Sequence, residues 1–307
     1  MRDKRKDIFA WLAYKTWQQN SIWVVSYLEI IMQRIRLLLL LLIASVTLAA
    51  AQEQELPAQP GPQDGRIVGG WETKIEHFPH QVSLQLKGRH KCGGTILSSS
   101  IILTAAHCLP MFTNPNEYAI RAGSTLWSSG GSYVRVRQII RHEQFNAPTL
   151  MNNDIAMVLL QQPLIFSPSI QPIEIVAPVD MVPAKAQLFV SGWGSTTVEQ
   201  LTTAPRLHYT AIVQLDRVSC TKNYFGAGIV THTMFCAGSK SGLGERDSCM
   251  GDSGGPLITH IDGRFKLLGI VSWGLGCANA HYPGVYTHVT AYSDWLLRTV
   301  PNLWPLN

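Results

Sequence analysis

Apolar residues recur along most of this chain in short runs rather than long ones. Val82-Ser83-Leu84-Gln85-Leu86 and Tyr133-Val134-Arg135-Val136-Arg137 alternate apolar and polar positions with period two. That is the spacing at which a strand turns one face inward. Further apolar runs stand at Ile155–Leu160, Leu188–Val190, Ala211–Leu215 and Leu267–Val271. None is long enough to predict a helix, and 25 Gly and 17 Pro punctuate them. Many short strands between turn residues predict an all-β sandwich or barrel. The last segment breaks the pattern. Tyr292, Trp295, Leu296 and Thr299 share one helical face between Thr290 and Pro301, which predicts a C-terminal amphipathic helix. No internal repeat is evident.

The N-terminal part is organised differently. Arg34 and Arg36 precede six leucines, Leu37 to Leu42, and Ala49-Ala50-Ala51-Gln52 closes the apolar stretch. A basic start, an apolar middle and small residues at the end read as a secretory signal peptide. The competing reading is an anchor, which would make a type II membrane-bound protein. From Leu37 to Ala51 there are 15 residues, short of the ~20 that a spanning helix needs. Met32 directly precedes this leader, so residues 1–31 read as an upstream extension and 32–51 as the signal peptide. Residues 52–65, with Pro57, Pro60, Gly61 and Pro62, read as an exposed linker.

Composition narrows the function classes. Charged residues make up 15% and hydrophobic residues 46%, with a net charge of +5, which excludes a disordered charged protein. The charge is not evenly spread, +2 over residues 1–66 and +3 over residues 67–307, but neither part is basic enough to predict a nucleic-acid partner. All ten His and all six Cys follow residue 66, so the chemistry belongs to the later part. An even cysteine count behind a signal peptide predicts disulfides and a secreted, extracellular protein. No Cys-x-x-Cys pair and no Asn-x-Ser/Thr sequon occurs, so neither zinc nor N-glycosylation is expected.

Gly251-Asp252-Ser253-Gly254-Gly255-Pro256 sets a serine among glycines, where the backbone can turn tightly and its N–H groups can approach a substrate carbonyl. Alone it also matches the nucleophile elbow of α/β-hydrolases. That fold needs Ser, then Asp, then His, for which Asp262 and His281 or His288 are available, but it also needs alternating helices upstream. The opposite order is met by His107 in Thr104-Ala105-Ala106-His107-Cys108 and Asp154 in Asn152-Asn153-Asp154-Ile155-Ala156.

Together with Ile67-Val68-Gly69-Gly70, Gly192-Trp193-Gly194, Ser272-Trp273-Gly274 and Pro283-Gly284-Val285-Tyr286, these motifs resemble the chymotrypsin/trypsin family of serine endopeptidases. The resemblance runs from Ile67 to the C-terminal helix. It implies two six-stranded antiparallel β-barrels with the active site between them, plus the C-terminal α-helix. It implies Ser253 as nucleophile, His107 as base, Asp154 as its partner, and the N–H groups of Gly251 and Ser253 as the oxyanion hole. Ser272 would bond the aspartate.

The resemblance further implies a zymogen. Residues 52–66 would be an activation propeptide, 67–307 the peptidase domain, and Arg66-Ile67 the cleaved bond, freeing an Ile67 amine to pair with Asp252. Asp247 would sit at the base of the primary pocket, with Ser248 beside it and Ser272, Trp273, Gly274 and Gly284 on its walls. The substrates implied are proteins or peptides with Arg or Lys at the cleaved bond. The partners implied are an activating trypsin-like protease and protein protease inhibitors, with a monomer expected. Cystines Cys92–Cys108, Cys220–Cys236 and Cys249–Cys277 are implied, the three-bridge arrangement of invertebrate members. Family calcium sites use carboxylates, and the corresponding stretch Gly123–Gly131 holds none, so no metal and no cofactor is expected. The alternative is an inactive homologue acting as a binding module, against which all three triad residues stand.

Overall fold

The structure, a computed structural model of the whole chain, describes residues 32–37, 70–183, 185–196, 202–241 and 246–300. The chain divides into two compact units, Met1–Glu53 and Gln54–Asn307. In the first unit, residues 32–37 are helical. The expected extension 1–31, the rest of the leader, the propeptide, Arg66 and Ile67 all lie outside the described residues. Among the described residues no helix is long and apolar enough to cross a membrane.

The second unit begins with a two-residue strand, β1 (Trp71–Glu72). Six strands then form a closed barrel: β2 (Gln81–Leu86), β3 (Arg89–Ser98), β4 (Ile101–Thr104), β5 (Tyr118–Ala122), β6 (Ser132–Arg141) and β7 (Ala156–Leu160). Their order is β2-β3-β4-β7-β6-β5, every neighbour antiparallel. After a short strand, β8 (Glu174–Ile175), come β9 (Gln187–Gly192), β10 (His208–Gln214), β11 (Met234–Gly238), β12 (Pro256–Ile261), β13 (Arg264–Trp273) and β14 (Gly284–His288). The last six close a second antiparallel ring in the order β9-β10-β11-β14-β13-β12, with β12 returning to β9. Strand β1 adds to it through β10, and β8 runs parallel to β13. Closure leaves the ring strands without free edges. The expected pair of six-stranded barrels is what the chain forms.

Inward residues fill each ring. Val82, Leu84, Ile96, Ile102, Ile120 and Val158 are buried in the first, and Leu188, Val190, Ile212, Leu257, Leu268 and Tyr286 in the second. Each such side chain contributes about 1.5–3 kcal/mol when taken from water. On β6 the alternation is as expected, Val136 buried and Arg135 and Arg137 exposed. On β2 it fails, because Gln81, Ser83 and Gln85 are buried as fully as Val82 and Leu84. The polar face of β2 lies against other parts of the unit. Gln81 accepts from Ser191 Oγ of the second barrel at 2.7 Å, Ser83 meets His90, and Gln85 donates to the Trp127 carbonyl at 2.5 Å.

The C-terminal helix spans Ser293–Thr299, after a 3-10 turn at Val289–Tyr292, and buries Tyr292, Trp295 and Leu296. A second helix was not expected from the apolar pattern. Helix α1 (Arg217–Asn223) carries only Cys220 inward, so no hydrophobic period marks it. It is held by a cap, Asp216 accepting from Ser219 N at 3.0 Å, and by the Cys220–Cys236 bridge. The C-terminal helix is therefore α2. The other cystines are Cys92–Cys108 and Cys249–Cys277, the pairing the resemblance implied.

Candidate active site

Three loops bring the expected residues together between the barrels. His107 lies on a 3-10 turn (Ala106–Cys108) after β4, tied to β3 by Cys92–Cys108. Asp154 precedes β7. Ser253 lies in the turn leading into β12.

Asp154 is fully buried and saturated with donors. Its Oδ1 accepts from the His107 backbone N–H at 2.9 Å. Its Oδ2 accepts from His107 Nδ1 at 2.7 Å and from Ser272 Oγ at 2.5 Å. A carboxylate can only accept, so Nδ1 carries a proton, and in the neutral imidazole this leaves Nε2 with its lone pair. The loop is fixed by its two asparagines. Asn153 adopts φ +56, a left-handed conformation that Asn tolerates. Its amide donates to the carbonyls of Gln144 and Ala147 while accepting from Tyr292 of the 3-10 turn before α2. Asn152 accepts from Thr231 and Thr233 of the second barrel. The Asn-Asn-Asp run is thus a device that docks the aspartate loop across the barrel interface.

Among the described residues no hydrogen bond joins Ser253 Oγ to His107 Nε2, which stands 3.8 Å from Cys108 Sγ. The histidine–aspartate half is assembled, and a nucleophile–base bond is commonly looser without substrate. The group Cys92, His107 and Cys108 lies close enough to suggest a metal site. Its two sulfurs are joined to each other, so it offers no thiolate ligand.

The Ser253 turn is built around Asp252. This side chain is fully buried, with Gly194 N donating to Oδ1 at 2.8 Å and Cys249 N to Oδ2 at 2.9 Å. A Cβ on Gly192 or Gly194 would fall 2.1 or 2.4 Å from that carboxyl group, which is why Trp193 is flanked by glycines. Burial pushes the Asp252 carboxyl up to about 6, against the two N–H bonds. No cation pairs with it among the described residues. Gly251 adopts φ +101, a conformation that favours glycine. Neither its N–H nor that of Ser253 has a protein acceptor among the described residues, so both donors are free for a ligand.

The sequence reading missed His90. Its ring Nε2 donates to the Gly251 carbonyl at 2.9 Å, and Nδ1 accepts from Ser83 Oγ at 2.8 Å. Burial pushes this imidazole down to about 4, so it stays neutral and keeps that tautomer. Gly93 N adds a bond to the Ser253 carbonyl at 2.8 Å. The first barrel therefore braces the serine turn of the second from β3.

Beside Ser253 opens a cleft of about 480 Å³, lined by Asp247, Ser248, Met250, Ser272, Trp273, Gly274 and Gly284 among others. Its floor is Asp247, buried, with Ser248 N at 2.8 Å from Oδ1 and Ala278 N at 3.3 Å from Oδ2. Burial pushes this carboxyl up to about 7, opposed by those two N–H groups. Ser248 Oγ meets Tyr286 OH at 3.0 Å. A Cβ on Gly284 would stand 2.6 Å from Asp247 Oδ1, so glycine keeps the floor open. The Trp273 wall leans on Tyr224, ring centroids 4.8 Å apart, and Tyr224 OH donates to the Pro283 carbonyl at 2.7 Å. Cys249–Cys277 ties the floor to the opposite wall. Every expected pocket residue lines this cleft.

A sequence model described as trypsin matches residues 67–296. The chain is 43% identical to trypsin epsilon of Drosophila erecta, over 82% of this chain and 94% of that one. It is 41% identical to trypsin alpha of Drosophila melanogaster, over 78% and 90%. It is 40% identical to a vitellin-degrading protease of Bombyx mori, over 78% and 88%.

Proposed function

The chain belongs to the trypsin family of serine endopeptidases, and we propose that it is a secreted zymogen whose active form starts at Ile67 and cleaves after Arg or Lys. The observation that carries the specificity is the buried Asp247 at the floor of the cleft beside Ser253. A carboxylate with no cation of its own selects a side chain that brings one.

In the proposed reaction His107 Nε2 takes the Ser253 proton as Oγ attacks the substrate carbonyl carbon. The oxyanion that forms meets the N–H groups of Gly251 and Ser253, each such donor being worth about 3 kcal/mol. The imidazolium, paired with Asp154, then gives the proton to the leaving amine, and an acyl-enzyme remains. Water repeats the sequence and releases the acid. Ser272 and the His107 backbone N–H hold Asp154 in place throughout.

Activation by a protease that cuts after Arg66 would free the Ile67 amine. Trp71 pairs with Tyr209 and Tyr209 with Ser191, which is two strand spacings, or about 10 Å. The next residue, Gly192, abuts Asp252. The four residues from Ile67 to Gly70 reach up to about 13 Å when extended, enough for the amine to meet that carboxylate. Holding Asp252 ionised without a cation costs about 3 kcal/mol, from its rise to about 6, and the new ammonium relieves that cost. The leader and the relatives support secretion, and the enzyme would act as a monomer.

Cleaving the recombinant chain at Arg66 and profiling it on a peptide library tests this reading. The expected result is cleavage after Arg and Lys alone. A preference for apolar or small residues at that position would overturn it.

A further inference from the structure

The residue next to the pocket acid is itself an arginine. Arg246 makes no ion pair with Asp247 or any other carboxylate among the described residues. Its guanidinium instead lies 4.6 Å from the centroid of the Trp71 ring. Trp71 is a fixed platform, since β1 pairs it with Tyr209 and the two rings stand 5.6 Å apart. Behind the pocket floor, Arg246 and Asp247 border one small cavity of about 20 Å³, together with Gly238, Ala278 and Pro283. The two residues therefore border a common space. A guanidinium is the strongest competitor a chain can offer for a buried carboxylate, and the indole face is what occupies it instead.

We propose that Trp71 is a positioning residue for the specificity pocket: it holds the Arg246 guanidinium away from Asp247, so that the carboxylate stays open to a substrate cation. The inference rests on the Arg/Lys reading of that pocket. It also gives the segment just after the activation site a second task. Trp71 lies four residues beyond Ile67, so the strand that carries the new terminus also keeps the pocket clear of the chain's own arginine.

The test compares Trp71→Ala, Trp71→Phe, Arg246→Ala and the Trp71→Ala/Arg246→Ala double variant with the parent, all cleaved at Arg66. The readouts are KM and kcat on a peptide with Arg at the cleaved bond, benzamidine inhibition, and fluorophosphonate labelling of Ser253. Trp71→Ala should raise KM and the benzamidine constant by about tenfold, the scale of a desolvated cation–π contact, with kcat and labelling unchanged. Trp71→Phe and Arg246→Ala should stay near the parent, and the double variant should return to the parent KM. A Trp71→Ala enzyme with parental KM overturns the proposal. So does a double variant as impaired or as poorly folded as Trp71→Ala alone, because removing the competitor would then rescue nothing. A parent enzyme that neither cleaves after Arg nor binds benzamidine sinks the pocket reading itself, and is told apart because the fault already shows in the parent.

Discussion

Ser272 Oγ donates to Asp154 Oδ2 at 2.5 Å, reaching across from the end of β13 to the loop before β7. The bond joins the wall of the specificity cleft to the partner of the catalytic histidine, and it crosses from one barrel to the other. Removing it leaves Oδ2 with His107 as its remaining donor. Ser272→Ala should lower kcat by about tenfold, the value of one charge-assisted hydrogen bond, with little change in KM. Asp154→Asn should cost about 10⁴ in kcat, a magnitude known for this triad chemistry in general rather than one derived from this chain. Steady-state kinetics on one peptide substrate checks both.

The pocket acid should make substrate binding depend on pH. Burial raises Asp247 to about 7, so in the free enzyme it is neutral below that pH and ionised above it. Affinity for an Arg side chain needs the ionised form. KM should therefore rise as pH falls through about 7, approaching tenfold per unit, and Asp247→Ser should show a weak and flat response. A parent KM independent of pH between 5 and 8 would count against an acid at the floor.

Gly284→Ala should separate binding from chemistry. The new Cβ would lie 2.6 Å from Asp247 Oδ1 and 3.2 Å from the Tyr286 ring, crowding the floor but not Ser253. Expected is a loss of at least a hundredfold in kcat/KM on Arg and Lys substrates, with fluorophosphonate labelling of Ser253 preserved.

Acid should weaken the fold through His80. Burial pushes this imidazole down to about 3, and its Nε2 has no partner among the described residues. The folded value lies below the unfolded 6.5, so its contribution is fully present above pH 6.5 and is lost as pH falls toward 3. The loss amounts to several kcal/mol at the acid end. His80→Phe keeps the ring and removes the titration. Its Tm should fall less between pH 7 and pH 4 than that of the parent, as read by differential scanning calorimetry.

Asp252→Ala and Ile67→Gly should each give a protein that is cut at Arg66 yet turns over substrate poorly. The first deletes the buried anion that Gly194 and Cys249 hold, and the second the apolar side chain that would seat the new amine. Near-parental turnover by either cleaved variant would remove the proposed switch.

The strands were legible because inward positions alternate, as at Val134 and Val136, and the triad because three motifs stand in one order. Periodicity alone left sandwich and barrel open; the motifs, not the pattern, pointed to two barrels. What escaped detection has a common cause. Gln81, Ser83 and Gln85 look like a solvent face, yet they meet Ser191 of the second barrel, His90 and the Trp127 carbonyl. His90 looks like one polar residue on a strand, and its partner Gly251 is 161 residues away. Helix α1 buries one side chain and is held by a cap and a cystine, neither of which leaves a hydrophobic period. Local pattern reports what a segment does with its own face, and these residues act on faces supplied from elsewhere.

The three cystines close short loops, with separations of 16, 16 and 28 residues, and each lies within one half of the peptidase unit. No covalent bond besides the polypeptide itself therefore joins the half that holds His107 and Asp154 to the half that holds Ser253. A single nick in the connection between β7 and β9 would turn one enzyme into two fragments. Their activity would then depend on concentration, through non-covalent contacts such as those of Gln81, His90, Gly93, Asn152, Asn153 and Asp154.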